Sequence, residues 1–257
     1  MAVFFLPACA LAQQDLSFSI AVDLNYKRLK MEQVQNTGSP ALGIITNTYT
    51  PTMWTLNLSP SLAWRGVFLT VGWERSLGES STSDYQANGT SWTDRRYSRE
   101  ENSVTLGYNV WAGLSLFAGY LDNTTNVSFT NYSVGGPSVV SYGKTAYNER
   151  GPYYGLGYSH RFGGGGSLAA SYAYLKGRGT FETSQPASAL FPSLLFEGDV
   201  KGSGFGLSWS APLAGSLYYR LGYKGNRYTF DFTDQNGNPR TTKQSYDSFF
   251  LGIANYF

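Results

Sequence analysis

The feature that most constrains this chain is a strict alternation of apolar and polar side chains, which recurs in ten segments. In the first segment, residues 16–26, every second side chain is large and apolar, and the side chains between them are polar or small. Alternation with a period of two places successive side chains on opposite faces of a β-strand. The apolar positions of this segment are Leu16, Phe18, Ile20, Val22, Leu24 and Tyr26. Each segment therefore predicts a strand with one apolar face.

The connections between the ten segments are alternately short and long. Short turns lie near residues 65, 112, 164 and 213, and long polar connections cover 28–52, 77–102, 122–151, 176–199 and 225–246. The sequence has no run of roughly 18 apolar residues that could form a membrane helix, and an open sheet would expose unpaired backbone groups to hydrocarbon. The pattern predicts an all-β, transmembrane, antiparallel up-and-down β-barrel of ten strands, with short periplasmic turns and long extracellular loops.

Composition supports a surface that is apolar on one side only. Aromatic residues make up 16% of the chain and charged residues 14%, against roughly 25% charged residues in soluble domains. Several aromatics lie near predicted strand ends, where their rings favour the headgroup level of a bilayer. A soluble β-sandwich is the alternative, but it does not predict the alternation of short and long connections. The net charge of +2 gives no indication of nucleic-acid binding.

The first twelve residues differ from the rest of the chain. They contain an apolar run followed by Ala10-Leu11-Ala12, an A-x-A pattern typical of signal-peptide cleavage. The pattern predicts a signal-peptide remnant over residues 1–12 and an outer-membrane barrel over residues 13–257. Two alternatives remain open: an N-terminal strand segment, and lipoprotein processing at Leu6-Pro7-Ala8-Cys9 with a lipid on Cys9. Cys9 is the only cysteine, so no disulfide can form within the chain.

The last predicted strand alternates apolar side chains and ends on an aromatic residue. Its apolar positions are Phe249, Leu251, Ile253 and Phe257. In these features the chain resembles the bacterial outer-membrane β-barrel family. The resemblance implies a location in the outer membrane with both termini in the periplasm, in contact with outer-membrane lipid and lipopolysaccharide. It also implies that the barrel-assembly machinery reads this terminal segment as its assembly signal.

The opposite face of the strands predicts a hydrophilic barrel interior. Its charged residues are Asp23, Lys27, Glu74, Arg161, Arg220 and Lys224. Unpaired charges are costly away from water, so we expect these residues to form a lumen charge network. Inward glycines accompany inward rings, and a ring packed over a glycine relieves crowding in a strongly curved sheet. Ten strands predict a plugged or very narrow lumen, in which the network is either structural or part of a gated path for small solutes.

Few residues could support catalysis. His160, the only histidine, is predicted to face outward near a short turn; a lipid-facing histidine–serine pair, as in outer-membrane phospholipases and lipid A deacylases, needs a serine where Phe162 stands. Ten strands also invite comparison with omptin proteases, which are similar in strand number and carry acidic residues and a histidine at the rim. The candidate acids are Asp84 and Asp94 in the second long connection and Asp231 and Asp234 in the fifth, and no histidine accompanies them. The sequence predicts no cofactor site, and one histidine and one cysteine cannot build a metal cluster.

Two segments of the long connections stand out. Residues 187–196 are apolar, and exposed apolar patches often mark binding sites. We expect this segment either to fold over the barrel mouth or to contact a ligand or partner through Leu190, Phe191, Leu194, Leu195 and Phe196. Residues 228–243 predict a hairpin extension that turns at Asn236-Gly237.

These observations predict a non-enzymatic outer-membrane β-barrel whose surface-exposed loops serve adhesion, recognition or envelope integrity, with an extracellular ligand that the sequence does not identify. A narrow channel for small or hydrophobic solutes is the alternative. An omptin-like surface protease is a further alternative, which the missing histidine disfavours.

Overall fold

Long antiparallel strands make up nearly all of the described chain. The computed structural model describes residues 16–36, 44–85, 91–133, 139–184 and 193–257. The strands in these ranges are β1 Ser17–Asn36, β2 Ile44–Tyr49, β3 Thr52–Trp64, β4 Val67–Ser76, β5 Ser80–Tyr85, β6 Ser91–Trp111, β7 Leu114–Ser133, β8 Val139–Arg161, β9 Ser167–Ser184, β10 Ser193–Ala214, β11 Leu217–Thr233 and β12 Pro239–Tyr256. Within these ranges no helix has the length and apolarity needed to cross a membrane.

The strands close into a barrel with ten strand positions. The order around the barrel is β1, β3, β4, β6, β7, β8, β9, β10, β11 and β12, and each strand pairs antiparallel with the next. β12 pairs with β1, which closes the ring. β2 pairs with β1 beyond the end of β3, and β5 pairs with β6 beyond the end of β4. Each of these short strands thus extends an existing strand position. The predicted fold class, a ten-stranded up-and-down antiparallel barrel, is confirmed.

The two ends of the barrel differ. The four short turns lie at one end, which we call the short-turn end, and the long hairpins lie at the other, the long-hairpin end. Two of the short turns, Arg65-Gly66 and Ala112-Gly113, have positive φ at both residues, which two-residue hairpins of type I′ require. At the long-hairpin end, β11 and β12 turn through residues 234–238, with Gly237 at a φ of 79°, so the predicted Asn236-Gly237 turn is confirmed.

A belt of exposed apolar side chains surrounds the half of the barrel next to the short-turn end. Along β1 it begins at Leu16, the residue just before the strand, which is 61% exposed, and ends at Tyr26. Cross-strand ring pairs mark its border on the side of the long hairpins. The pairs, with centroid distances, are Tyr26–Trp54 at 5.2 Å, Tyr223–Phe249 at 5.3 Å and Tyr154–Tyr174 at 5.7 Å. We call this border the aromatic girdle.

The strands continue well beyond the girdle, into the segments predicted as long polar connections. Alternation continues too, but its polarity reverses. Past Tyr26, the outward side chains of β1 are the exposed Arg28 and Lys30, and the inward ones are the fully buried Leu29 and Met31. The expectation of a hydrophilic interior is therefore wrong for this half of the barrel, which holds the main apolar core. The reason is that an outward face in water no longer favours apolar side chains, which turn inward instead.

Rings pack over glycines inside the barrel wall, as predicted. A Cβ added at Gly155 in β8 would overlap the ring of Phe117 in β7. The other pairs of this kind are Phe68 with Gly107, Tyr153 with Gly119, and Phe250 with Gly222. In each pair the ring takes the space that a side chain on the neighbouring strand would need, so the interior stays close-packed where the wall curves.

Candidate functional site

Eight charged side chains meet inside the barrel near the level of the aromatic girdle. This lumen charge cluster consists of Asp23, Lys27, Glu74, Arg99, Glu101, Glu149, Arg220 and Lys224. The Nζ atom of Lys27 lies 2.5 Å from Oε1 of Glu74 and 3.7 Å from Oε2 of Glu101. Below them, Nη1 of Arg220 lies 3.2 Å from Oδ1 of Asp23. Four cations face four carboxylates, so the cluster balances its own charge.

Arg99 contacts two carboxylates of the cluster and two hydroxyl groups outside it. Its guanidinium lies 3.3 Å from Oε2 of Glu101 and 3.5 Å from Oε2 of Glu149. Its Nη1 donates hydrogen bonds of 2.7 Å to Oγ1 of Thr125 and to the hydroxyl of Tyr246. The guanidinium carbon also lies 3.9 Å from the centre of the Tyr246 ring, a cation–π distance. Arg99 therefore joins β6, β7, β8 and β12 from inside the barrel.

The structure brings together five of the six charged residues that the sequence singled out. Asp23, Lys27, Glu74, Arg220 and Lys224 lie in the cluster. Arg161 is the last residue of β8 and is exposed at the short-turn end, apart from the cluster.

Sequence reasoning missed three members of the cluster. They are Arg99, Glu101 and Glu149, which lie in segments predicted as the long connections 77–102 and 122–151. For two of them the sequence did contain an indication. Arg99 and Glu101 lie an even number of residues from the inward-facing Gly107 of the same strand, so continued alternation would place them on the inner face as well.

An apolar and aromatic layer, the upper plug, lies between the charge cluster and the long-hairpin end. Its members are Leu29, Met31, Tyr97, Val127, Tyr147, Val200, Tyr228 and Phe230, each at most 7% exposed. The ring of Tyr228 stands edge-on to that of Tyr246, with centroids 6.0 Å apart, and so ties the plug to the charge cluster. Because these side chains are almost inaccessible to water, the two layers together obstruct the lumen.

Above the plug, the barrel mouth contains a cleft with two lobes. The first lobe has a volume of about 240 Å³ and the second a volume of about 250 Å³. Both are lined by Gln33, Phe181 and Thr183, so they adjoin. The first lobe runs along β9–β12, and the second is lined by Tyr49, Arg95 and neighbouring rings. We call the two lobes together the mouth cleft.

One side of the first lobe is a wall of three phenylalanine rings from three adjacent strands. Phe181 lies 5.8 Å from Phe196 and 5.6 Å from Phe232 between ring centroids, and Phe196 lies 5.6 Å from Phe232. The planes are inclined by only 20° to 36°. We call this set the phenylalanine wall. All three rings are only partly buried, so they form an apolar surface that remains accessible from the mouth.

The structure divides the predicted apolar contact segment. Leu194 and Phe196 line the first lobe of the mouth cleft, whereas Leu195 points to the outside and is 60% exposed. Leu190 and Phe191 lie outside the described residues.

Beside the phenylalanine wall, the lining of the first lobe is polar and is held by the turn between β11 and β12, where Arg240 stands directly opposite Phe232. Both Nε and Nη2 of Arg240 donate to Oδ2 of Asp234, over 2.9 Å and 2.6 Å. The backbone amides of Asn236 and Asn238 donate to the other carboxylate oxygen. The hydrogen bonds from Arg240 are the main cause that lowers the pKa of Asp234 to about 2, so this carboxylate is ionised at ordinary pH.

The acidic residues considered for an omptin-like site have other partners at the long-hairpin end. Asp84 pairs with Arg95, Asp94 accepts a hydrogen bond from Ser83, and Asp231 accepts one from Thr241. His160 lies at the opposite end of the barrel, where its ring meets that of Phe162 edge-on at 4.8 Å. Because β6 and β8 run on the order of 50 Å between the two ends, His160 cannot act as a base for these carboxylates.

The residues predicted as an assembly signal lie on the apolar belt. Phe249, Leu251, Ile253 and Phe257 are each between 48% and 65% exposed, and the ring of Phe257 lies 5.7 Å from that of Phe18. Their role in assembly stays a prediction. Within the described ranges, no group of three or more His, Cys, Asp and Glu side chains could hold a metal ion.

The fold is similar to that of known outer-membrane proteins. No protein-family model and no curated protein sequence matches the chain. The outer-membrane protease OmpT from Escherichia coli superimposes with a TM-score of 0.67 at 10% identity, over 100% of this chain and 99% of that one. At this identity the likeness shows the fold alone.

Two further matches have lower scores. The NalP translocator domain from Neisseria meningitidis has a TM-score of 0.42 at 12% identity over 92% of this chain and 88% of that one. The Pseudomonas putida toluene transporter TodX has a TM-score of 0.38 at 10% identity over 97% and 91%. Closure of the ten strands, the apolar belt and the OmpT superposition agree, and the chain has the fold of the bacterial outer-membrane β-barrel proteins.

Proposed function

We propose that this protein is a non-conducting, non-enzymatic outer-membrane barrel that recognises a ligand at its long-hairpin end, in adhesion or in maintaining the envelope. One observation carries the proposal: the charge cluster and the upper plug obstruct the lumen, while the mouth cleft above them stays open. A side-chain plug is what a small barrel is expected to hold. A catalytic role finds no support, because the acidic residues at this end lack a histidine.

The proposed orientation follows the asymmetry of the two ends. Outer-membrane barrels place short turns in the periplasm and long hairpins outside, so the mouth cleft would face the medium and both termini the periplasm. In this proposal residues 1–12, which lie outside the described residues, are removed as a signal peptide. The barrel-assembly machinery would then recognise the terminal strand that ends at Phe257.

Contact with lipopolysaccharide is supported by the charges just outside the aromatic girdle. On the outer face of β8–β10, Arg150 stands directly opposite Arg178, and Lys176 directly opposite Lys201. All four side chains are exposed. On their other sides, Arg178 faces Asp199 and Arg150 faces Asp122, so two acids stand among four basic residues. Like charges directly opposite one another destabilise a sheet, and a bound phosphate group would offset this cost. We propose that phosphates of lipopolysaccharide lie between these strands.

Four other outward basic residues above the girdle, Arg28, Lys30, Arg75 and Arg227, each have an acidic partner and no basic residue directly opposite them in the described strands. Arg28 lies opposite Asp247 and Arg75 opposite Glu100, and Lys30 pairs with Glu32 at 2.6 Å. Arg227 also pairs with Asp247, at 3.0 Å. These four residues provide a control with the same change in charge.

We expect glutamine substitution at Arg150, Lys176, Arg178 and Lys201 together to weaken lipopolysaccharide binding at least about 10-fold. Each basic side chain near an anionic membrane surface contributes roughly 1 kcal/mol before screening, so four of them exceed the roughly 1.4 kcal/mol of a tenfold change even when salt screens about half of the attraction. The measurement is retention of lipopolysaccharide by the purified barrel in detergent, with dephosphorylated lipopolysaccharide in parallel. Glutamine at Arg28, Lys30, Arg75 and Arg227 should have a smaller effect. Equal losses in the two variants would overturn this assignment.

Reconstitution into planar bilayers tests the proposed function directly. We expect the unmodified protein to give no steady conductance steps, because the buried charge cluster and the upper plug obstruct the lumen. An open porin inserted into the same membranes provides the positive control. Steady open steps from folded, unmodified protein would contradict the proposal and favour the narrow-channel alternative.

A further inference from the structure

We infer that the first lobe of the mouth cleft is a binding site for a neutral saccharide, one or two sugar rings of a glycan chain. The inference rests on the proposed function, because it requires the mouth cleft to face the medium. It adds the chemical class of the ligand, which follows from three properties of the lobe: its apolar wall, its polar side and its balanced charge.

The phenylalanine wall gives the ligand one apolar face to meet. Phe181, Phe196 and Phe232 project from neighbouring strands, and their planes lie within 36° of one another. Leu194 lines the lobe beside them. Apolar rings that stay accessible to water do not contribute the full free energy that burial of apolar surface supplies. A ligand that covers the wall buries this surface and gains that free energy as binding energy. The C–H face of a sugar ring is flat and apolar enough to do so.

The rest of the lobe excludes a purely hydrocarbon ligand. Most of its lining residues are polar, and they include Gln33, Asn47 and Asn236. A primary amide offers both a donor and acceptors, as a sugar hydroxyl does. Covering these groups with hydrocarbon would leave polar atoms without hydrogen bonds, which costs about 1–3 kcal/mol for each buried group. A ligand with a rim of hydroxyl groups avoids that cost.

The charge of the lobe favours a neutral ligand. Asp234 and Arg240 are the charged residues among its described lining, and they pair with each other through two hydrogen bonds. In the second lobe, Arg95 likewise pairs with Asp84. The two pairs leave no net charge to attract an anion or a cation. They also hold both guanidinium groups in place, so that donors on the polar side are preorganised.

The size of the lobe fits a short saccharide. Its volume of about 240 Å³ lies below the roughly 300–1,000 Å³ of sites for drug-sized ligands, and so accommodates a single sugar ring. The adjoining second lobe adds about 250 Å³ and is lined by the partly buried ring of Tyr49. A second ring of the chain would lie there.

Glycan-array binding by the purified, folded barrel tests the inference. We expect the unmodified protein to bind neutral glycans in preference to sialylated or sulfated ones. Leucine at both Phe181 and Phe232 keeps apolar bulk but removes the flat rings, and should weaken binding about 10-fold, since ring contacts contribute roughly 0.5–1.5 kcal/mol each. Asn47→Leu should weaken binding without altering the wall. Phe205→Leu, at an exposed ring on the apolar belt, is the matched control.

The outcomes separate this inference from the proposed function. If folded protein, checked by circular dichroism, binds no glycan or prefers charged ones, the inference is overturned. The same holds if Phe205→Leu weakens binding as much as the wall variant, or if a long-chain alcohol displaces the glycan better than free sugar does. Steady open steps in the bilayer measurement would instead overturn the proposed function, whatever the array shows. A closed lumen without glycan binding overturns the saccharide assignment alone.

Discussion

The Arg99→Met variant should unfold with a free energy about 3–5 kcal/mol lower than the unmodified protein, because removing one partner of a buried ion pair leaves the other charge uncompensated. Glu149 loses the cation 3.5 Å away, and Glu101 loses the nearer of its two cation partners and keeps Lys27 at 3.7 Å. The hydroxyls of Thr125 and Tyr246 also lose the donor that they share. Urea unfolding of the barrel in lipid vesicles, followed by tryptophan fluorescence, measures the change.

The matched control for Arg99→Met is Arg95→Met at the barrel mouth. Arg95 also pairs with a carboxylate, but its partner Asp84 has a side chain that is 47% exposed. Exposed pairs contribute at most about 1 kcal/mol, so this variant should lose far less stability. A second arm combines Arg99→Met with Glu149→Gln, which removes the orphaned charge and should recover part of the loss. Equal losses for Arg99→Met and Arg95→Met would refute the structural role assigned to the cluster.

The strands of the membrane-facing half of the barrel could be predicted from the sequence, because one physical rule applies to every strand there. Outward side chains face hydrocarbon and inward ones do not, so alternation and apolarity coincide, as from Leu16 to Tyr26. Strand number, closure and the position of Asp23 or Lys27 on the inner face follow from that rule.

The other half could not be read in the same way, because its polarity reverses while its period does not. A search for apolar outward positions ends at Tyr26, although β1 continues to Asn36. Past the girdle, Arg28 and Lys30 point into water and Leu29 packs inside, so the sequence there resembles a polar loop. If the alternation had been extended past the girdle without regard to polarity, it would have predicted longer strands and placed Arg99 on the inner face.

The mouth cleft depends on contacts that no local pattern contains. Phe181, Phe196 and Phe232 come from three strands, and only the cross-strand register brings their rings together. The sequence pointed to Leu194 and Phe196 as apolar residues at the long-hairpin end, which is where the structure places them. Phe181 lay within a segment predicted as a polar connection, and Phe232 was predicted only as part of the 228–243 hairpin. The pairing of Asp234 with Arg240 spans a turn whose geometry had to be known first.

Glycines in the barrel wall explain how rings fit inside so narrow a cylinder, and Gly155→Ala tests that explanation. A Cβ at this position would overlap both the ring of Phe117 and the carbonyl oxygen of Tyr172. The ring could rotate only into a close-packed interior, and the carbonyl belongs to the neighbouring strand, so neither can yield cheaply. Overpacking of this kind typically costs about 1–3 kcal/mol, and we expect a loss near the upper end of that range in the same urea measurement.

Gly164→Ala is the control for this prediction. Gly164 lies in the turn between β8 and β9, and an added Cβ there would meet nothing within 4 Å. The substitution is chemically the same, so any general effect of losing a glycine appears in both variants, and we expect the control to lie within about 0.5 kcal/mol of the unmodified protein. Combining Gly155→Ala with Phe117→Leu removes the ring overlap but keeps the overlap with the carbonyl oxygen, so it should restore only part of the lost stability. A Gly155→Ala protein as stable as the Gly164→Ala protein would mean that the ring does not fill this space and that the wall curves for another reason.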